Sequence, residues 1–144
     1  MRHVKSIIDS LVDLITGRSD ARKDRLNQGQ REAIIDALLY CLYADDYDDP
    51  AERNIMDKSI ARLNWESGIS VTDYIEFATE KVNRALSSEE SEQAFLASIS
   101  ERLEDWERRF QTLQLCKILF YSDMFFSDEE VRALTELSRV FKRR

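Results

Sequence analysis

Apolar residues recur at helical spacing along almost the whole chain. Val4, Ile7, Ile8, Leu11, Val12 and Ile15 follow the i, i+3, i+4, i+7 rhythm of one amphipathic stripe. They predict an amphipathic N-terminal helix over residues 1–17, ended by Gly17. Residues 18–24 are polar and read as a loop. A second helix is expected over about 25–45, and its segment AIIDALLYCLYA is apolar on nearly all sides. That is the pattern of a central helix wrapped by others. A third helix begins at Pro50 and carries Ile55, Met56, Ser59, Ile60 and Leu63 on one face. A fourth, over about 71–86, turns Val71, Tyr74, Ile75, Ala78, Val82 and Leu86 inward. Residues 87–92 (SSEESE) read as a turn and a helix start, followed by a fifth helix with Phe95, Leu96, Ile99 and Leu103. The sixth, about 106–123, is again apolar nearly all round in LCKILFY. The seventh, about 128–142, carries Val131, Leu134, Leu137, Ser138 and Phe141. No pattern of period two competes. The expected fold is all-α, with about seven helices in one compact domain spanning residues 1–144.

Composition narrows the classes. The 144 residues include only 3 Gly and 1 Pro, which excludes a collagen-like, disordered or turn-rich β chain. Acids outnumber bases 28 to 21, and a net charge of −7 argues against nucleic acid as the partner, since phosphate binding runs on Lys and Arg. Cys41 and Cys116 lie in apolar runs and read as buried, reduced thiols, with a disulfide as the alternative. No apolar run reaches the ~18 residues of a membrane span. The N-terminal stripe is interrupted by Asp9 and Asp13, unlike a secretory leader. A cytoplasmic location is therefore expected. Two basic clusters, Arg18, Arg22, Lys23 and Arg25, and Arg139, Lys142, Arg143 and Arg144, read as solvated helix ends in preference to a membrane-binding surface.

The acids are not spread evenly. Asp45, Asp46, Asp48, Asp49 and Glu52 crowd one helix junction, and Asp123, Asp128, Glu129 and Glu130 crowd another. The two junctions are related. LYADDYDDPAERNIM, from Leu42, and FYSDMFFSDEEVRAL, from Phe120, align at a spacing of 78 residues, pairing Tyr43 with Tyr121, Asp45 with Asp123 and Glu52 with Glu130. Both hold a capping box, Asp49-Pro50-Ala51-Glu52 and Ser127-Asp128-Glu129-Glu130. Pro50 takes the first helical position, where its missing donor is harmless. Helix initiation alone accounts for Asp49, Glu52, Ser127 and Glu130. It does not account for Asp45 and Asp123, which stand near helix C-termini where the macrodipole disfavours an acid. Carboxylates from the end of one helix and the start of the next can converge, and converging carboxylates repel unless protonated, paired or bound to a cation. Such an all-oxygen set suits Ca²⁺ or Mg²⁺. An EF-hand counted from Asp46 fails, because Pro50 and Ala51 fall at loop positions 5 and 6, where the turn needs Gly at 6. Zinc lacks ligands, since the one histidine, His3, is near the terminus and the cysteines have no partner spacing.

The repeated element, Ala44-Asp45-Asp46-Tyr47-Asp48-Asp49-Pro50-Ala51-Glu52 and Ser122-Asp123-Met124-Phe125-Phe126-Ser127-Asp128-Glu129-Glu130, resembles the segment that occurs twice in the TerB-like family of tellurite-resistance and related helical domains. The resemblance covers about residues 25–142, with helix 1–17 as an addition. It implies two pseudo-symmetric helical hairpins and an acidic site for a divalent cation. It carries over Asp45 and Glu52 from the first copy and Asp123 and Glu130 from the second, with Asp49 and Ser127 at the small polar cap position. The family's glycine is replaced by Asp46 and Met124, and the second loop is apolar.

The resulting expectation is a non-enzymatic domain that binds a divalent cation through Asp45, Asp49, Glu52, Asp123 and Glu130 and acts through a protein partner in a stress response. The alternative is an interaction module without a metal, with Phe125 and Phe126 as its anchor. Catalysis is not expected: no interior histidine serves a nucleophile and no Gly-rich phosphate loop exists.

Overall fold

The computed structural model describes residues 26–44, 50–61, 63, 65, 67–121 and 127–143. Among them it is all helical, with six helices and no strand: α1 (Gln28–Leu42), α2 (Pro50–Ala61), α3 (Val71–Ala85), α4 (Glu89–Leu103), α5 (Trp106–Tyr121) and α6 (Asp128–Phe141). The expected N-terminal helix, residues 1–17, lies outside the described residues, as do His3 and the first basic cluster.

Polar side chains at the starts of the helices bond the open backbone N–H groups. Asn27 Oδ1 accepts from the Gln30 N–H at 2.8 Å, and Gln30 Oε1 accepts from the Asn27 N–H at 3.0 Å, a full capping box. It starts α1 at Gln28, three residues later than the apolar pattern suggested, since the rhythm does not show a polar cap inside it. Ser70 caps α3, Ser88 caps α4, and the Asp105 carboxylate accepts from the Arg108 N–H at 2.8 Å at the start of α5.

The central helix is α1. Each of residues 33–42 is at most 2% exposed, and α1 packs against all five other helices. A helix apolar on every side has nowhere to sit but the middle. Around it, Met56, Ser59, Ile60 and Leu63 are buried at α2, and Tyr74, Ala78 and Val82 on α3. Leu96, Ile99 and Leu103 of α4 and Leu113, Leu115, Cys116, Leu119 and Phe120 of α5 complete one continuous core with Ala133, Leu137, Val140 and Phe141 of α6. Both cysteines are buried free thiols, as expected.

Two inward assignments are corrected. Leu86 is the C-cap of α3 and is exposed, because the helix has ended and its stripe with it. Val131 is 49% exposed. The buried stripe of α6 runs through Glu130, Ala133, Leu137, Val140 and Phe141, so a carboxylate holds the inward position next to Val131. No described helix is long and apolar enough to cross a membrane.

Candidate functional site

Glu130 is the one expected ligand whose side chain is described. Ser127 precedes α6 with extended backbone, φ −77° and ψ 163°, and its Oγ accepts from the Glu130 N–H at 3.1 Å. Glu130 Oε1 accepts in return from the Ser127 N–H at 2.9 Å. The capping reading of this pair therefore holds. It accounts for half of the carboxylate. Glu130 is 2% exposed, and its Oε2 is buried with no hydrogen-bond partner among the described residues. A buried acceptor left unpaired costs roughly 1–3 kcal/mol, more when charged, so such an atom calls for a partner. Asp45, Asp49 and Asp123, the Glu52 side chain, and Phe125 and Phe126 lie outside the described residues. Among the described residues no group of three or more His, Cys, Asp or Glu side chains is arranged to hold a metal.

A second buried carboxylate ties three helices, α1, α4 and α6, together near the start of α6. Glu92, in the first turns of α4, is 3% exposed. Its Oε2 accepts from the Tyr40 hydroxyl at 2.7 Å and from Arg132 Nη1 at 3.1 Å, and its Oε1 accepts from Arg132 Nη2 at 2.8 Å. Tyr40 is near the C-terminal end of α1 and Arg132 near the start of α6. One carboxylate thus joins the end of the first motif's leading helix to the start of the second motif's trailing helix. Burial pushes the Glu92 carboxyl up, but the hydrogen bonds from Arg132 and Tyr40 outweigh it and hold it below its ordinary value of 4.5. The Tyr40 hydroxyl is driven far above its ordinary range, first by burial and then by the Glu92 carboxylate that accepts its hydrogen bond.

The sequence reading passed over a third carboxylate, Asp36, at the middle of α1. It is fully buried. Its Oδ2 takes Lys81 Nζ at 2.8 Å and Arg102 Nη2 at 2.7 Å, and its Oδ1 accepts from the Tyr74 hydroxyl at 2.9 Å. Lys81 Nζ also lies 3.0 Å from the Tyr74 oxygen and 5.2 Å from the centroids of the Tyr74 and Phe77 rings. Burial lowers the Arg102 pKa, but the Asp36 charge outweighs it and the guanidinium is held more firmly protonated. The signal was an Asp inside an otherwise apolar run, AIIDALLY, which a buried charge occupies only when paired. Its partners, 38 to 66 residues away, carry no sequence mark.

The two ends of the bundle differ. At the start of α1, Asn27 Nδ2 donates to Glu104 Oε2 at 2.5 Å and Gln30 Nε2 to the Leu103 carbonyl at 3.0 Å. The starts of α1 and α5 therefore lie side by side, and Glu104 turns the chain between α4 and α5 at φ 77° with an Asp105 N–H to Leu103 carbonyl bond of 3.0 Å. That is a tight three-residue turn of the strained hand. Glu130 and Glu92 belong to the other end.

No family model, curated protein or solved structure matches this chain.

Proposed function

We propose that this chain is a non-enzymatic, TerB-like helical domain that binds a divalent cation, Ca²⁺ or Mg²⁺, at its two acidic helix junctions and acts through a protein partner in a stress response. The observation that carries the cation reading is the Glu130 carboxylate: buried, fixed through Oε1 by its cap, and with Oε2 free of a hydrogen-bond partner among the described residues. A hard cation is a fitting partner for such an oxygen. Asp45, Asp49, Glu52 and Asp123 are the further ligands proposed from the motif. The Tyr40–Glu92–Arg132 tie supports a shared site, because it brings the end of α1 and the start of α6 to one corner.

The test is thermal unfolding with Ca²⁺, Mg²⁺ or Mn²⁺. A cation at a hundred times its dissociation constant stabilises the folded state by about 2.7 kcal/mol, a rise in Tm of roughly 5–10 °C for a chain of this size. Glu130→Gln keeps a carbonyl oxygen for the cap and removes the charge, so it should abolish the rise. Ser127→Ala removes the Oγ that caps α6 and leaves the Glu130 carboxylate, so it should keep the rise. A flat calorimetric titration with all three ions sinks the cation role.

A second reading, an interaction module without a metal, is favoured by a different observation. Trp106 and Phe110, one turn apart on α5, are 48% and 46% exposed with ring centroids 6.0 Å apart. An exposed aromatic pair of this kind is a typical interface anchor.

A further inference from the structure

Trp106 of that pair lines a cleft at the opposite end of α5 from the acidic junction. The cleft has a volume of about 320 Å³ and is lined by Trp106, Arg109, Phe141, Lys142 and Arg143. Phe141 is 1% exposed and forms its floor, while Trp106 is half open to solvent. A more open hollow of about 510 Å³ on α6, lined by Leu134, Thr135, Ser138 and Arg139, which is paired with Glu136, shares Lys142 with it.

Its charge is opposite to that of the chain. Arg109 spends its hydrogen bonds on neutral carbonyls, Nε on Ser100 at 2.9 Å and Nη2 on Glu104 at 3.3 Å, so its positive charge is not cancelled there. Lys142 and Arg143 make no ion pair among the described residues. No acid is among the described residues lining the cleft; the nearby Glu104 and Asp105 keep their charge but lie outside the lining, Glu104 accepting from Asn27 and Asp105 from the Arg108 N–H. The N-terminal end of α5 adds its own positive potential. Three cations thus surround a half-exposed indole on a protein of net charge −7.

We propose that this cleft docks an acidic peptide segment of a protein partner, with an apolar side chain laid against Trp106 and flanking Asp or Glu side chains on Arg109, Lys142 and Arg143. Charge complementarity selects an anionic partner. Scale selects a peptide: the positive patch spans only a few side chains. An extended polyanion, such as a lipid surface or a nucleic acid, would overrun the patch and face the acidic remainder of the chain. The inference rests on the interaction reading and not on the cation reading, since no residue is shared between the two sites.

The test uses the full chain and short fluorescein-labelled peptides carrying one Phe within a run of Asp and Glu, against the same peptides with Asn and Gln. The acidic peptide should raise anisotropy and shift the Trp106 emission, a signal assigned by its loss in Trp106→Phe. Lys142→Glu with Arg143→Glu should weaken binding about tenfold or more, as should high salt. Because acids at the C-terminal end of α6 oppose its dipole, folding is checked by circular dichroism, and Lys142→Gln with Arg143→Gln, which adds no acid there, should weaken binding in the same direction. Binding should persist in EDTA, which separates this outcome from that of the cation titration. The proposal is overturned if the Asn/Gln peptide binds equally, if the charge reversals leave affinity unchanged, if no acidic peptide binds, or if phosphatidylserine vesicles or single-stranded DNA bind in its place.

Discussion

Removing the Asp36 carboxylate is the sharpest perturbation of the fold. In Asp36→Ala, Lys81 Nζ and Arg102 Nη2, now held 2.7–2.8 Å from one shared oxygen, face each other with no anion between them, and the Tyr74 hydroxyl loses its acceptor. Breaking a buried ion pair from one side costs about 3–5 kcal/mol, because the partner is left buried and uncompensated. The two cations have side chains 23% and 25% exposed, so water recovers part of their solvation. The expected loss is therefore nearer about 3 kcal/mol than 5. For a chain of this length that is a fall in Tm of about 10 °C, read by urea and thermal unfolding. Asp36→Asn keeps an acceptor for Tyr74 and should fall between wild type and Asp36→Ala. The triple variant Asp36→Leu, Lys81→Met, Arg102→Met should recover most of the loss, because an apolar trio of similar volume leaves no charge unpaired. A single Asp36→Ala cost below about 1 kcal/mol would refute the reasoning, since a surface pair costs no more than that.

Two further outcomes follow from the same geometry. The Glu92 carboxyl is held below its ordinary value of 4.5 in the folded chain, so its contribution is fully present above that value and is lost as pH falls through the lower folded value. Acid unfolding monitored by circular dichroism should therefore begin at higher pH in Arg132→Met, which removes the group that lowers it; an unchanged acid midpoint contradicts the assignment. Cys41 and Cys116 are each at most 1% exposed, so a thiol reagent should leave both unmodified in the native chain and modify both in denaturant. Stoichiometric labelling without denaturant would mean that neither thiol is part of the core.

Legibility in the sequence followed the physics of each feature. Burial through helical rhythm was readable, because a 3.6-residue period projects apolar positions onto one face. Hence α3 was placed at 71–86 and is found at Val71–Ala85, and the all-apolar segment near residue 40 is the central helix. The Ser127–Glu130 box was readable because a cap is local, with both partners within three residues. Val131 was misassigned because hydropathy cannot tell that Glu130 beside it takes the inward position. The partners of Asp36 and Glu92 were not readable, since a surface arginine and a strut arginine look alike in a sequence. The Trp106 cleft was missed for a related reason: Trp106 and Lys142 are distant in sequence and meet only through the packing of α5 on α6.

The polar contacts inside the core also solve a problem that α1 creates. Hydrophobic burial is non-directional, and a helix apolar on every side gains nearly as much in one rotation about its axis as in another. Directional contacts choose between them. Asp36 and Tyr40, one turn apart on α1, each join a carboxylate, a tyrosine and basic side chains, with the roles exchanged: α1 supplies the acid toward Tyr74, Lys81 and Arg102 of α3 and α4, and the tyrosine toward Glu92 of α4. At its start, the Arg31 Nε donates to the Leu63 carbonyl at 2.7 Å and Gln30 reaches the Leu103 carbonyl. Four side chains on three turns thus tie α1 to α3, to α4 and to the segment after α2, and any rotation of the helix strands a buried charge or donor. The apolar surface sets that α1 is central, and these contacts set which face meets which neighbour. The orientation matters at the far end, because the same rotation that seats Tyr40 on Glu92 also carries the end of α1 to the corner where Arg132 and Glu130 begin α6.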